Sequence, residues 1–214
     1  MQLIDKTVHG DIINFDIPYK SIQGRITQEK YFDVRGEGHF IDGYFLFAIP
    51  KICSTTLNMS APTERYNRYY KSIIILRDPI DRWITGIMEF LSKYHLDEDL
   101  FFNETIYEVA FDRHTAQQNW YIPGNVNYGN TFFEKYNRKI LEEIKEKYNL
   151  PNLITHTYND STRLEKTYFK NKIHKALENP DLENKIKTYY KNDYKLIERF
   201  TNEQRLEYIN RNPR

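Results

Sequence analysis

Apolar positions in this chain follow two rhythms, short unbroken runs and longer helical stripes, and the runs come first. Gly43-Tyr44-Phe45-Leu46-Phe47-Ala48-Ile49 is apolar throughout. A run with no polar alternation predicts a strand covered on both faces, as in a parallel sheet. Ser72-Ile73-Ile74-Ile75-Leu76 is a second such run, rich in β-branched residues, and predicts a second buried strand. Between them, Pro50 to Leu57 reads as a tight loop opening a short helix to about Ala61, with Ser54, Thr55 and Thr56 as cap and first-turn residues. After the second run, Asp78 and Pro79 read as the cap and first position of a helix. Its stripe of Ile80, Trp83, Ile84, Ile87, Met88 and Leu91 carries it to about Tyr94.

Further along, the pattern predicts a short helix over 98–111, a loop over 121–130 and a helix over 131–148 with Phe133, Tyr136, Ile140, Ile144 and Tyr148 on one face. Leu153 to Tyr158 reads as a third strand, and 162–210 as a helical tail broken near Pro180. Strands alternating with helices define an α/β domain whose small central parallel sheet is flanked by helices. Residues 1–42 show only short alternations such as Ile12 to Ile17, punctuated by Gly24, Gly36 and Gly38. They are expected to form an N-terminal extension packed on a main domain of residues 43–214.

Composition narrows the class. The 214 residues suit one domain. Aromatic residues make up 15%, with 18 Tyr and 13 Phe, which argues against disorder. The 31 basic and 30 acidic residues leave a net charge of +1. That excludes a diffuse basic surface for nucleic acid or membrane and leaves room for a local basic pocket. Cys53 is the single cysteine, so an internal disulfide and Cys-rich metal sites are excluded. The six histidines show no close ligand spacing, and no metal is expected. Met1 to Lys6 lacks a secretory n-region and no stretch approaches 18 apolar residues, so the expectation is a soluble, cytoplasmic protein.

Chemistry gathers at the two strand-to-helix turns. A helix start behind a buried strand presents N–H groups and partial positive charge, a setting suited to phosphate. Lys51 adds a full charge there and Ser54, Thr55 and Thr56 add hydroxyls, without the spacing of a P-loop. The plain alternative is a capped helix with an incidental lysine. At the second turn Arg77 can grip an anion with its fork, and Thr85, about two turns into the helix, can add a hydroxyl. The alternative there is a solvated Arg77 with Asp78 and Asp81 as helix-start acids, and Arg82 is expected to pair with Asp78 or Asp81. Two anion sites at two strand ends point to a ligand with two separated phosphates, bound at the sheet edge where α/β domains hold ligands.

Pro50-Lys51-Ile52-Cys53-Ser54-Thr55-Thr56-Leu57 resembles the 5′-phosphosulfate loop of sulfotransferases, with Cys53 where a glycine or alanine is usual. Arg77-Asp78-Pro79, Arg82 and Thr85 resemble their 3′-phosphate motif, with threonine for serine. The match is nearest to the carbohydrate sulfotransferase group. His114 to Gln118 is similar to that group's His-x-x-x-Gln segment, and Asp193-Tyr194 to its late Asp-Tyr signature. The interval from Leu57 to Ser72 is shorter than in many relatives.

The resemblance implies a P-loop-like three-layer domain and a co-substrate, 3′-phosphoadenosine 5′-phosphosulfate, used without metal. Lys51 would assist departure of the nucleotide. The 5′-phosphate would rest on backbone N–H groups of Ile52, Cys53 and Ser54 and on the hydroxyls of Ser54, Thr55 and Thr56. Arg77 and Thr85 would hold the 3′-phosphate. Glu64 and His114 are the candidate bases for an acceptor hydroxyl, expected on a carbohydrate. Ser161 and Arg163 are further candidate donor contacts, with a capped turn as the alternative. Tyr66, Tyr69, Tyr70, Trp120 and Tyr121 are candidates to line the acceptor cleft. The rival readings are a P-loop-like nucleotide kinase and a binding protein that keeps the fold without catalysis.

Overall fold

The computed structural model describes residues 3–6, 12–15, 35–95, 98–111, 114–156 and 164–211. Its strands are β1 (Leu3–Lys6), β2 (Ile12–Phe15), β3 (Glu37–Ile41), β4 (Tyr44–Phe47), β5 (Thr63–Arg65), β6 (Lys71–Leu76), β7 (Tyr94–His95) and β8 (Thr131–Lys135). The α-helices are α1 (Ser54–Ser60), α2 (Pro79–Lys93), α3 (Glu98–Asn103), α4 (Ile140–Tyr148), α5 (Leu164–Ala176), α6 (Pro180–Tyr189) and α7 (Lys191–Arg211).

The two apolar runs form neighbouring parallel strands, Phe45 opposite Ser72 and Leu46 opposite Ile73. Every β6 residue after Lys71 is buried, as a strand covered on both faces requires. The sheet order is β5-β3-β4-β6-β8. β4, β6 and β8 are parallel, while β3 runs antiparallel to both β4 and β5. The sheet is therefore mixed, with a parallel half, and not wholly parallel. Asp42 and Gly43 join β3 to β4 with φ of 48° and 88°. Positive φ at both positions is what a tight two-residue hairpin turn requires. The hairpin places β3, which lies within the segment expected as an N-terminal extension, in this same sheet. β1 pairs with β2 on one side and β7 on the other to form a separate small sheet.

Three further expectations change. The third parallel strand is β8, which occupies the first part of the helix expected over 131–148. Residues 153–156 are not a strand; Leu153 N–H donates to Leu150 O and Ile154 N–H to Ser60 Oγ. The 98–111 helix is α3 followed by a 3-10 turn, Thr105–Glu108. α2 packs against α5 and α6, and α6 against α7. Trp83 on α2 is fully buried and donates from Nε1 to Val109 O at 2.8 Å. Among the described residues no helix is long and apolar enough to cross a membrane.

Candidate functional site

The parallel half of the sheet decides where the site falls. β4, β6 and β8 deliver their following turns to one edge: 48–53, Arg77-Asp78 and 136–139. Residues from all three turns line a single cleft of about 1530 Å³, at the carboxyl ends of the strands. The cleft holds Lys51, Arg77, Thr85, Glu89 and Tyr136, with Lys170 and His174 of α5 on another wall.

The first turn is conformationally strained. Lys51 and Cys53 have φ of 64° and 56°, a left-handed backbone that costs a non-glycine residue about 1–2 kcal/mol. Ile52 between them is 1% exposed, and its N–H donates to Ile49 O at 3.0 Å. Packing of Ile52 into the core thus fixes the turn, and its N–H is used internally rather than offered to a phosphate. Cys53 is the N-cap of α1, with no side-chain cap. Ser54, Thr55 and Thr56 are first-turn residues facing the cleft and not caps, and Thr56 is 3% exposed. Burial pushes the Cys53 thiol up from 9.0 to about 12, against the opposing charge of Arg77. The thiolate is the reactive form. We therefore expect Cys53 to react with a disulfide reagent at pH 8 about 100-fold or more slowly than free cysteine, and to speed up as pH rises. Reaction as fast as that of free cysteine, followed by absorbance, would contradict the burial argument.

At the second turn Asp78 accepts the Asp81 N–H at 3.0 Å, capping α2 ahead of Pro79 as expected. Arg77 is half-buried and held by the turns around it. Its Nη1 donates to Thr85 Oγ1 at 3.2 Å and to Lys51 O at 3.3 Å, and its guanidinium lies 4.7 Å from the Tyr136 ring centre. Burial lowers its pKa, with Tyr136 and Asp81 pulling it back up; arginine starts high enough to stay charged. Its Nε is buried with no hydrogen-bond partner. Arg82 is wholly buried and donates to Pro50 O at 3.0 Å and to Ala116 O. It ties the two turns together from beneath.

Lys51 Nζ lies 2.9 Å from Glu89 Oε2, with both side chains about a quarter exposed. Glu89 escaped the sequence reading, although it stands one turn beyond Thr85 on the polar side of the α2 stripe. Tyr136 escaped it too, because its spacing fitted a helix.

The other candidates separate. His114 is 8% exposed and lines the cleft. A Cβ at Gly86 would stand 2.6 Å from the His114 carbonyl oxygen, so glycine at this α2 position lets that backbone approach. Glu64 is exposed on edge strand β5, and the cleft is lined there by Thr63 instead. Ser161 and Arg163 lie outside the described residues. Of the five proposed cleft aromatics, Tyr121 lines the cleft. Tyr66 and Tyr70 pack on Phe45, Trp120 meets Tyr189, and Tyr69 is 81% exposed.

The two fainter motifs meet behind Arg77. The Gln118 amide clamps the Arg77 backbone from both sides: Oε1 accepts its N–H at 3.0 Å and Nε2 donates to its carbonyl at 2.8 Å. The Gln118 and Asn119 N–H groups donate to the buried Asp193 carboxylate at 2.7 and 2.9 Å. Tyr190 donates from its hydroxyl to Thr115 O. Helix α7 is thus linked through Gln118 to Arg77. Among the described residues no group of three or more His, Cys, Asp or Glu side chains could hold a metal ion. Comparisons with protein families, curated proteins and solved structures find no match for this chain.

Proposed function

We propose that the chain is a P-loop-like sulfotransferase that moves a sulfuryl group from 3′-phosphoadenosine 5′-phosphosulfate to an acceptor hydroxyl, with a carbohydrate as the family-weighted acceptor. One observation carries the reading. Arg77, Thr85 and the Lys51 turn, named separately from sequence, meet in one cleft at the ends of adjacent parallel strands. A half-buried guanidinium at the cleft wall, with an Nε that has no hydrogen-bond partner, is suited to the 3′-phosphate. The lysine and first-turn hydroxyls beside it are suited to the 5′-phosphosulfate. Transfer of this kind builds charge on the leaving phosphate, so catalysis rests on positioned cations more than on covalent chemistry.

Calorimetric titration with 3′,5′-adenosine diphosphate, ATP and 5′-AMP tests the donor. The 3′,5′-diphosphate is expected to bind best. Arg77→Ala is expected to weaken it about 100-fold, the scale of a bidentate charge-assisted contact, while changing 5′-AMP binding little. Equal or tighter binding of ATP would favour the kinase reading. A preference for the 3′,5′-diphosphate with no sulfate transfer to any acceptor would favour the binding protein.

A further inference from the structure

We propose that Glu89 is the general base that takes the proton of the acceptor hydroxyl, a role that rests on the sulfotransferase reading above. The Lys51–Glu89 contact of 2.9 Å carries the argument. If Lys51 supports the leaving oxygen, the transferring sulfur passes within a few ångströms of Lys51 Nζ. A carboxylate touching that ammonium is then at the reacting centre, with part of its surface open to the cleft.

Helix geometry supports the placement. Thr85 and Glu89 are four residues apart and share one face of α2. Thr85 meets Arg77, where the 3′-phosphate is expected. Glu89 lies about 6 Å further along the axis, beside the lysine, where the sulfate end is expected. The same face therefore runs from the donor's anchoring phosphate to its reactive group. Of the other acids that line the cleft, Glu37 on β3 pairs with Arg65 at 3.4 Å, Glu142 is in the first turn of α4, and Asp81 lies at the Thr85 end, where its carbonyl accepts the threonine hydroxyl. Of the two candidate bases read from sequence, Glu64 lies outside the cleft lining, and His114 lines the cleft with its backbone packed against Gly86.

The step balances as follows. The acceptor oxygen forms a bond to sulfur as the bond from sulfur to the bridging oxygen breaks. The electron pair leaves on the nucleotide's 5′-phosphate, and Lys51 donates a hydrogen bond to it. The acceptor proton passes to the Glu89 carboxylate. Before the donor arrives, Glu89 and Lys51 neutralise one another. Donor binding draws the ammonium to the bridging oxygen and leaves the carboxylate facing the acceptor.

The test uses the full chain with labelled donor, a panel of sugar acceptors, 4-nitrophenol and water alone, and follows release of 3′,5′-adenosine diphosphate. Glu89→Gln keeps the shape and removes the base. It is expected to bind 3′,5′-adenosine diphosphate within about 3-fold of wild type and to lose about 100-fold in kcat with sugar or water as acceptor. The acid limb of its rate profile against pH should disappear. Turnover with 4-nitrophenol, already partly ionised at neutral pH, should fall much less. Formate should restore part of the activity of Glu89→Ala, while Glu64→Gln should keep full turnover. Full kcat in Glu89→Gln, or a loss that leaves the acid limb in place and is equal for all acceptors, overturns the base while leaving the sulfotransferase reading intact. Absence of 3′,5′-diphosphate binding or of any donor breakdown in the wild type overturns both.

Discussion

Lys51→Ala is expected to lower sulfuryl transfer about 1000-fold, roughly 4 kcal/mol in the transition state. The lysine is assigned to the leaving oxygen, where charge appears only as the sulfur–oxygen bond breaks. Its removal should therefore act on kcat and spare binding of 3′,5′-adenosine diphosphate to within about 10-fold, since that ligand has no bond to break. Stability should change little. The lost ion pair with Glu89 is about a quarter exposed, and partly solvated pairs contribute about 1 kcal/mol or less. The left-handed backbone at position 51 is equally unfavourable for alanine. Lys51→Arg is expected to recover only part of the rate, because a planar fork does not replace a compact ammonium at one oxygen. Single-turnover transfer of labelled sulfate, with calorimetry on the same proteins, separates the two effects. Wild-type kcat in Lys51→Ala would remove the lysine from the mechanism.

The sequence reading worked where the deciding forces were local. β4 and β6 are legible because strands covered on both faces show no alternation of apolar and polar positions through residues 45–47 and 73–76. α2 is legible because its cap, its proline and its stripe agree. β8 is not, because it is an edge strand of the sheet and only Phe133 in it is buried. Phe133 in β8 and Tyr136 just after it fall in step with 140, 144 and 148 in α4, so a helical period runs unbroken from the strand into the helix. Leu153 misleads in the opposite way: one fully buried leucine beside Ile154 imitates a strand, while the backbone bonds go to Leu150 and Ser60.

The site divides along the same line. Lys51, Arg77 and Thr85 are legible because each sits at a fixed offset from a strand end. Glu89 has no local signal that separates it from a surface acid, since its importance comes from Lys51 across the cleft. Glu64 illustrates the converse, a carboxylate near the loop in sequence but turned out to solvent on β5. The Gln118–Asp193 connection spans 75 residues, so only the fold could reveal it. Most of the described aromatics pack in or against the core, Tyr121 and Tyr136 also reach the cleft, and Tyr69 and Tyr168 are among those exposed.

That connection makes Asp193 the position where one substitution should cost most in stability. Its side chain is fully buried and accepts two backbone N–H groups, and the charge of buried Arg82 acts on it. Asp193→Ala strands both donors and removes a counter-charge, a class of change that costs about 3–5 kcal/mol. For a chain of this length that lowers Tm by roughly 10 °C. The carboxyl pKa is raised above its ordinary 3.8 by burial, while the Asn119 and Gln118 N–H groups and Arg82 pull it down. A raised pKa means that the folded state holds the proton more tightly than the unfolded one. The Asp193 contribution is therefore greatest below pH 3.8 and declines as pH rises through the folded value. Asp193→Asn keeps one acceptor oxygen, should lose less stability than alanine, and should remove that decline. Both substitutions should also weaken 3′,5′-adenosine diphosphate, because the Gln118 clamp sets the backbone of Arg77. Denaturant melts across pH, paired with calorimetry, test the two effects together. An Asp193→Ala protein as stable as wild type would show that α7 does not support the site through this carboxylate.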